Sequence, residues 1–168
     1  MNALPLPPAR PRPVLFCTLA VAYALGIFAL SSLPGSSLPQ HGRLTAWAYN
    51  VSHAPLFVGL ALLVGSALVV PMRAGKAALA PRGAALTVAA CFGYALLDEF
   101  HQSFVAARSP DGIDLVTDLA GIGAAVVWLR RSGDVSRFHT ALRLTAFVAM
   151  ASLSAWLATR PFEFGAGP

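Results

Sequence analysis

"VLFCTLAVAYALGIFALSSL", residues 14 to 33, is an apolar run without a single charge. Crossing a hydrocarbon core about 30 Å thick takes roughly 20 apolar residues in a helix, so this run spans a bilayer by itself. It is longer than the h-region of about 7 to 15 residues in a secretory signal, and no clear A-x-A site follows. An uncleaved span is therefore expected. The rest of the chain agrees with it. Of 168 residues, 57% are hydrophobic and only 11% are charged, and the mean hydropathy is +0.66. Soluble domains carry about 25% charged residues, so the composition points to a membrane protein.

Working outward, "SHAPLFVGLALLVGSALVV" (52 to 70) is a second span. "GAALTVAACFGYALL" (83 to 97) and "LVTDLAGIGAAVVWL" (115 to 129) are shorter third and fourth spans. "ALRLTAFVAMASLSAWLA" (141 to 158) is a fifth. Proline, glycine and charge punctuate the gaps between them: "PGSSLPQHG", "PMRAGKAALAPRG", "RSPDG" and "RRSGD". The expected fold is an all-α polytopic membrane bundle, with a four-helix core over 14–130 and a fifth transmembrane helix within 131–168. Residues 1–13, rich in proline, are expected to form a disordered cytoplasmic tail. Cys17 and Cys91 each lie inside an apolar run and read as small buried hydrophobes.

Lysine and arginine favour cytoplasmic flanks. With the N-terminus in the cytoplasm, Arg10, Arg12, Arg73, Lys76, Arg82, Arg130, Arg131, Arg137 and Arg143 gather on the inner side. Arg43, Arg108 and Arg160 remain outside. The expected location is a bacterial inner membrane, crossed several times. The formal charge of +5 is dispersed among apolar segments and does not form the stripe that nucleic acid requires, so no nucleic-acid partner is expected.

Five of the seven acidic residues, Asp98, Glu99, Asp111, Asp114 and Asp118, fall between residues 94 and 129. Counting from the inner boundary at 1.5 Å per residue across a core of about 30 Å puts Asp118 roughly 12 Å beneath the outer edge. The same count leaves Asp98 roughly 6 Å beneath it, with His53 at a similar level. A lipid-facing Asp at the centre of a span costs about 2.5 to 3.5 kcal/mol on insertion scales, so these groups should point inward, pair, or line a wet cavity. Asp98, Glu99 and Gln102 share one helix face, as do Asp114, Asp118 and Gly121. Asp111 reads as turn chemistry in "SPDG", and Asp114 as a helix N-cap that can also serve a site. His101 is expected at the interface, away from the Glu99/Gln102 face. His41 and His139 fall in loops.

Two segments resemble the VanZ-like family of small bacterial membrane proteins: "NVSHAPLFVGLALL" and "DEFHQSFVAARSPDGIDLVTDLAGIGAA". The second resembles the family's pattern at Asp98, Glu99, Gln102, Arg108, Asp114, Asp118 and Gly121. The likeness runs from about residue 14 to 130. The chain departs from the pattern at Asn50, where a Lys is frequent, at Phe57, where the aromatic usually carries a hydroxyl, and at Ala106-Ala107, where Pro-Gly usually precedes the Arg. The resemblance implies a four-helix membrane domain with its polar site towards the outer face. The family takes its name from a link to glycopeptide resistance.

Two functions fit. One is a membrane-embedded hydrolase or transferase acting on phosphate-bearing lipid head groups or lipid-linked cell-envelope glycans. For it, His53 can shuttle a proton, and the partly desolvated Glu99 suits acid–base work. Arg108 offers a planar fork for phosphate, Asp114 can orient His53 or Arg108, and Gln102 can hold a substrate oxygen. Asp98, Asp118 and Gly121 are expected to bind substrate or support the site. The other is a non-catalytic binding or shielding protein whose polar cluster is a structural Arg–carboxylate lattice. The partners are membrane lipids, with a lipid-linked cell-wall precursor as a candidate. His53, Glu99, Asp114 and Asp118 are donors that a divalent metal could use, but no HExxH-like spacing supports one. No metal or other cofactor is expected.

Overall fold

The computed structural model describes residues 13–35, 42–71, 77–108, 111–130 and 137–159. The expected tail over 1–12 and the C-terminal residues beyond 159 lie outside the described residues. So do His41, Arg73, Lys76, Arg131 and Asp134, and the side chains of Arg137 and His139.

The chain is an all-α membrane bundle. Helix α1 (Pro13–Ser31) is followed by α2 (Gly42–Val51), α3 (His53–Ala67), α4 (Pro81–Gln102), α5 (Gly112–Leu129) and α6 (Arg137–Ala158). A two-residue antiparallel pairing of Val70–Pro71 with Ala77–Ala78 closes the turn between α3 and α4. Four helices are long and apolar enough to cross a membrane: Pro13–Ser31, Arg43–Ala67, Pro81–Gln102 and Gly112–Leu129. The apolar part of α6, Arg143–Ala158, is shorter.

The second span differs most from its sequence reading. It does not start at residue 52 but runs back through α2 to residue 42, with a break at Ser52. The cause is Pro55. It has no N–H to offer the Val51 carbonyl, and its ring crowds that carbonyl, so a helix breaks there. The backbone tightens instead, with Ser52 N donating to Tyr49 O at 3.1 Å and Ser52 Oγ capping the same carbonyl. His53 therefore sits at an internal break and not at the mouth of a span.

Local signals set the other ends. Pro81 occupies the first turn of α4, where its missing N–H costs nothing. Asp111 caps α5, its Oδ1 accepting from Ile113 N at 2.8 Å. Asp114 lies one turn inside, its N–H bonded to Asp111 O at 3.0 Å. Asp111 thus shows the expected turn chemistry, its side chain bonding two residues on, and supplies the cap that was expected of Asp114, which is left with a buried side chain.

Helix α3 is central, packed on α5, α1 and α4, while α6 covers the far side of α5 and also meets α2. The core joins Ile27 of α1, Phe57, Leu60 and Ala61 of α3, Cys91 and Ala95 of α4, and Ile122 and Ala125 of α5. Cys91 is buried as expected, whereas Cys17 is exposed on α1. The outer surface is apolar, with Val21, Leu25, Leu97, Phe100 and Val148 turned outward, as suits a lipid solvent. Lipid gives helices no hydrophobic reason to associate, so close packing and interhelical hydrogen bonds must hold them. A Cβ on Gly121 would overlap the Ala54 carbonyl oxygen, so α5 and α3 touch backbone to backbone there. Thr117 Oγ1 and Ser154 Oγ, both buried, lie 2.7 Å apart and join α5 to α6.

At one end of the bundle α1 stops, α2 meets α3, α4 stops and α5 begins. Gly35 N donates to Ala106 O at 3.0 Å across that end. The opposite end carries Arg82 and Arg130, both exposed, and is tied by Leu79 N donating to Leu129 O at 3.1 Å.

Candidate functional site

The polar residues converge at the first of these ends. His53, Asp98, Glu99, Gln102, Asp114 and Asp118 are all buried, with Asp118 only 1% exposed. Three helices supply them: α3 carries His53, α4 carries Asp98, Glu99 and Gln102, and α5 carries Asp114 and Asp118. The i,i+4 spacing on α4 lets Gln102 Nε2 donate to Asp98 Oδ2 at 2.9 Å.

His53 Nδ1 lies 3.4 Å from Asp118 Oδ1, the ion pair found among the described residues. Its partner is Asp118, a full turn deeper than Asp114. Gly121 makes this contact possible, because its missing side chain lets Ala54, the neighbour of His53, settle onto α5. Glu99 is fixed at one oxygen, Oε2 accepting from Asp111 N at 2.9 Å. One donor atom from each of His53, Glu99 and Asp114 lies within 4.8 Å of the others, close enough for the three to share a cation. Glu99 Oε1, Asp114 Oδ1, Asp98 Oδ1, Asp118 Oδ1 and Ser31 Oγ are buried with no hydrogen-bond partner in the described structure, so the 3.4 Å approach of Asp118 Oδ1 to His53 is an ion-pair contact and not a hydrogen bond. Such atoms are rare in folded proteins and call for an explanation.

Among the described residues no carboxylate pairs with Arg108. Its Nε donates to Leu33 O at 3.2 Å and its Nη2 reaches Leu30 O at 3.4 Å. Those carbonyls belong to the last turn of α1 and the residues just after it, where a helix leaves acceptors unsatisfied. The guanidinium carbon also lies 5.3 Å from the centre of the Tyr49 ring, within cation–π range. At least two of its five N–H donors are thus committed.

A cavity of about 200 Å³ opens between α1, the α2–α3 break and α4. Its polar lining is Ser31, Tyr49, Ser52, His53, Asp98, Gln102 and Arg108, and Ile27, Leu30, Leu33, Leu56 and Phe57 complete it. Glu99, Asp114 and Asp118 are not in that lining, so His53 is the residue common to the cavity and the carboxylate cluster. His101 lies to one side, stacked on Phe28 at 4.2 Å and 3.0 Å from Ser32 Oγ.

A family model described as VanZ/LLP1 matches residues 15–132. That range holds all but the first two residues of α1, α2 to α5, and every residue of the cavity and the cluster. The chain belongs to the VanZ/LLP1 family. No curated protein and no solved structure matches it. In this VanZ/LLP1 protein, Phe57 and Ala107 both lie beside the site. Phe57 is buried against the cavity, its ring centre 6.2 Å from that of Tyr94. Ala107 holds a positive φ of 56° just before Arg108, a conformation that favours glycine.

Tyr49, Ser31 and Ser52 line the cavity and were not predicted. Tyr49 precedes His53 by four residues, and their ring centres are 6.3 Å apart. That spacing is a helical signal, but it is invisible while residues 43–51 are left outside any span.

Proposed function

We propose that this VanZ/LLP1 protein is an inner-membrane hydrolase or transferase whose cavity takes the phosphate of a lipid head group at the extracytoplasmic surface. One observation carries the reading: Arg108 and His53 line the same cavity, beside a cluster of buried carboxylates. An uncommitted guanidinium edge suits a phosphate oxygen, and the imidazole suits proton transfer. His53 is engaged through Nδ1 by Asp118, so Nε2 is the atom it has to offer. It would take the proton of an attacking hydroxyl as the new P–O bond forms, then pass it to the leaving oxygen as the old P–O bond breaks. Gln102, tied to Asp98, would position a substrate oxygen. Glu99 would serve as a second proton-transfer group.

Size refines the substrate class. Pockets for drug-sized ligands run to about 300–1,000 Å³, so a cavity of about 200 Å³ favours a phosphate with a small substituent over a glycan. A lipid-linked cell-wall precursor would present its phosphate here and keep its sugars outside. The orientation rests on the polar end being opposite Arg82 and Arg130, since basic residues favour the cytoplasmic side.

The structural, shielding alternative has its own support. The His53–Asp118 pair joins α3 to α5, and Glu99 holds the residue that caps α5. Against an Arg–carboxylate lattice stands the choice of backbone carbonyls by Arg108. The deciding experiment compares phosphate-bearing lipids in cells lacking the protein and in cells making wild-type, His53→Ala or Glu99→Gln protein at equal membrane levels. A wild-type-dependent change in one lipid class, absent from both variants, is expected. Indistinguishable lipid and precursor profiles in all four would refute an enzyme of this kind.

A further inference from the structure

We infer that His53, Glu99 and Asp114 form a divalent cation site of the Zn²⁺ or Mn²⁺ type. The inference stands whether or not the lipid reading holds. Its first ground is the donor set. An imidazole and two carboxylates from three different helices bring one donor atom each to within 4.8 Å of one another. Metal bonds of roughly 2.0–2.2 Å draw donors to about 3.4 Å apart in a tetrahedral site, a distance that small side-chain rotations close.

The second ground is independent. Glu99 and Asp114 are more than nine-tenths buried, at 7% and 9% exposure, and each has an oxygen without a hydrogen-bond partner in the described structure. The other Glu99 oxygen, Oε2, is held by Asp111 N, and a carboxylate anchored at one oxygen with the other unmatched has the posture of a monodentate ligand.

The third ground is Asp118. It contacts His53 Nδ1 at 3.4 Å and is itself nearly inaccessible. A carboxylate beside one nitrogen of a histidine orients the ring, and tightening this contact to a hydrogen bond would leave the other nitrogen for a metal. Asp118 is thus a positioning residue in this site. A nitrogen with two carboxylate oxygens, and no thiolate, suits Zn²⁺ or Mn²⁺ better than a soft cation. Three protein donors also leave positions for water or substrate. Because His53 lines the adjoining cavity, those positions would lie on the side a ligand reaches. With a cation bound, His53 and Glu99 would be its ligands and would not serve as proton-transfer groups, and the cation would supply Lewis-acid chemistry beside the cavity.

The test uses the full chain in lipid nanodiscs, freed of any affinity tag and stripped with chelator, then titrated with Zn²⁺ by equilibrium dialysis and with Mn²⁺ by electron paramagnetic resonance. Wild type should bind about one equivalent of either ion, with a ¹⁴N coupling to Mn²⁺ from the imidazole. His53→Ala should lose that coupling and at least tenfold in affinity, as should Asp114→Asn. Asp118→Asn should weaken binding by roughly 10- to 100-fold while retaining the ¹⁴N signal. His101→Ala, outside the trio, should bind as wild type does. Glu99→Gln is read only if its circular dichroism matches wild type, because Glu99 also holds the α5 cap. Failure of wild type to bind, or equal binding by wild type, His53→Ala and Asp114→Asn, would overturn the site. Either result can coexist with a positive lipid-profile experiment, so the two readings fail separately.

Discussion

Ala107 carries backbone strain. Its φ of 56° lies in the left-handed region, which costs a residue with a Cβ roughly 1–2 kcal/mol. The loop adopts it because Gly35 and Ala106 bond across the bundle end, where a Cβ on Gly35 would overlap the Ala107 carbonyl. Ala107→Gly should stabilise the protein by about 1 kcal/mol, read as a higher unfolding temperature in detergent, with Arg108 left in place. Arg108→Ala should do the reverse. It removes two charge-assisted bonds to the end of α1, each worth about 1.5–3 kcal/mol at most and less where water reaches them. A loss of about 1–2 kcal/mol is expected, measurable in the same melts, whatever the variant does to lipid. At this scale helical spacing already grouped Asp98, Glu99 and Gln102, and Asp114 with Asp118. It could not say that Asp111 rather than Asp114 caps α5, because Asp at either position fits the start of a helix equally well. Nor could it tell which carboxylate meets His53, a choice made between helices.

Pro55 has a larger reach than its own position. By breaking the second span at Ser52 it turns α2 onto α6, where Trp47 Nε1 donates to Ser152 O at 3.2 Å and Arg43 lies 4.5 Å from the Trp156 ring centre. It also brings Tyr49 to the cavity. Pro55→Ala restores the missing helical bond, so stability should rise, by no more than the ~3 kcal/mol that an interior proline costs. Spin labels at positions 44 and 62 should move apart as the span straightens, and an unchanged distance would show that packing, not the proline, sets the break. Gly121 is the contact between α3 and α5. Gly121→Val would wedge them apart at a cost of about 1–3 kcal/mol for overpacking, and it should weaken the His53–Asp118 contact along with thermal stability. Between α5 and α6, a Thr117→Val/Ser154→Ala double-mutant cycle should give a coupling of about 0.6 kcal/mol, the usual worth of such a bond in a membrane. Runs of apolar residues revealed the helices, but the break at residue 52 was missed because "GRLTAWAYN" is less apolar than the spans around it.

Among the described residues Arg82 and Arg130 lie at the end opposite the buried carboxylates, which makes the orientation testable. With Cys17 changed to Ser, Ser103→Cys should react with a membrane-impermeant thiol reagent on whole cells, and Arg130→Cys only after lysis. The reverse pattern would invert the proposed topology and place the cavity on the cytoplasmic side. What the sequence determined by itself was the solvent and the layering. A chain with 11% charge and four long apolar runs must satisfy its backbone internally within lipid, and helices are the way to do so. Carboxylates near the ends of those runs must then turn inward, because lipid would penalise them. The tertiary structure alone decided which of these groups meet. Side chains on separate helices are brought together by contacts as small as Gly121 against Ala54, and by a kink whose direction depends on what α2 and α6 offer each other. Those are properties of surfaces in three dimensions, and spacing along one helix carries no record of them.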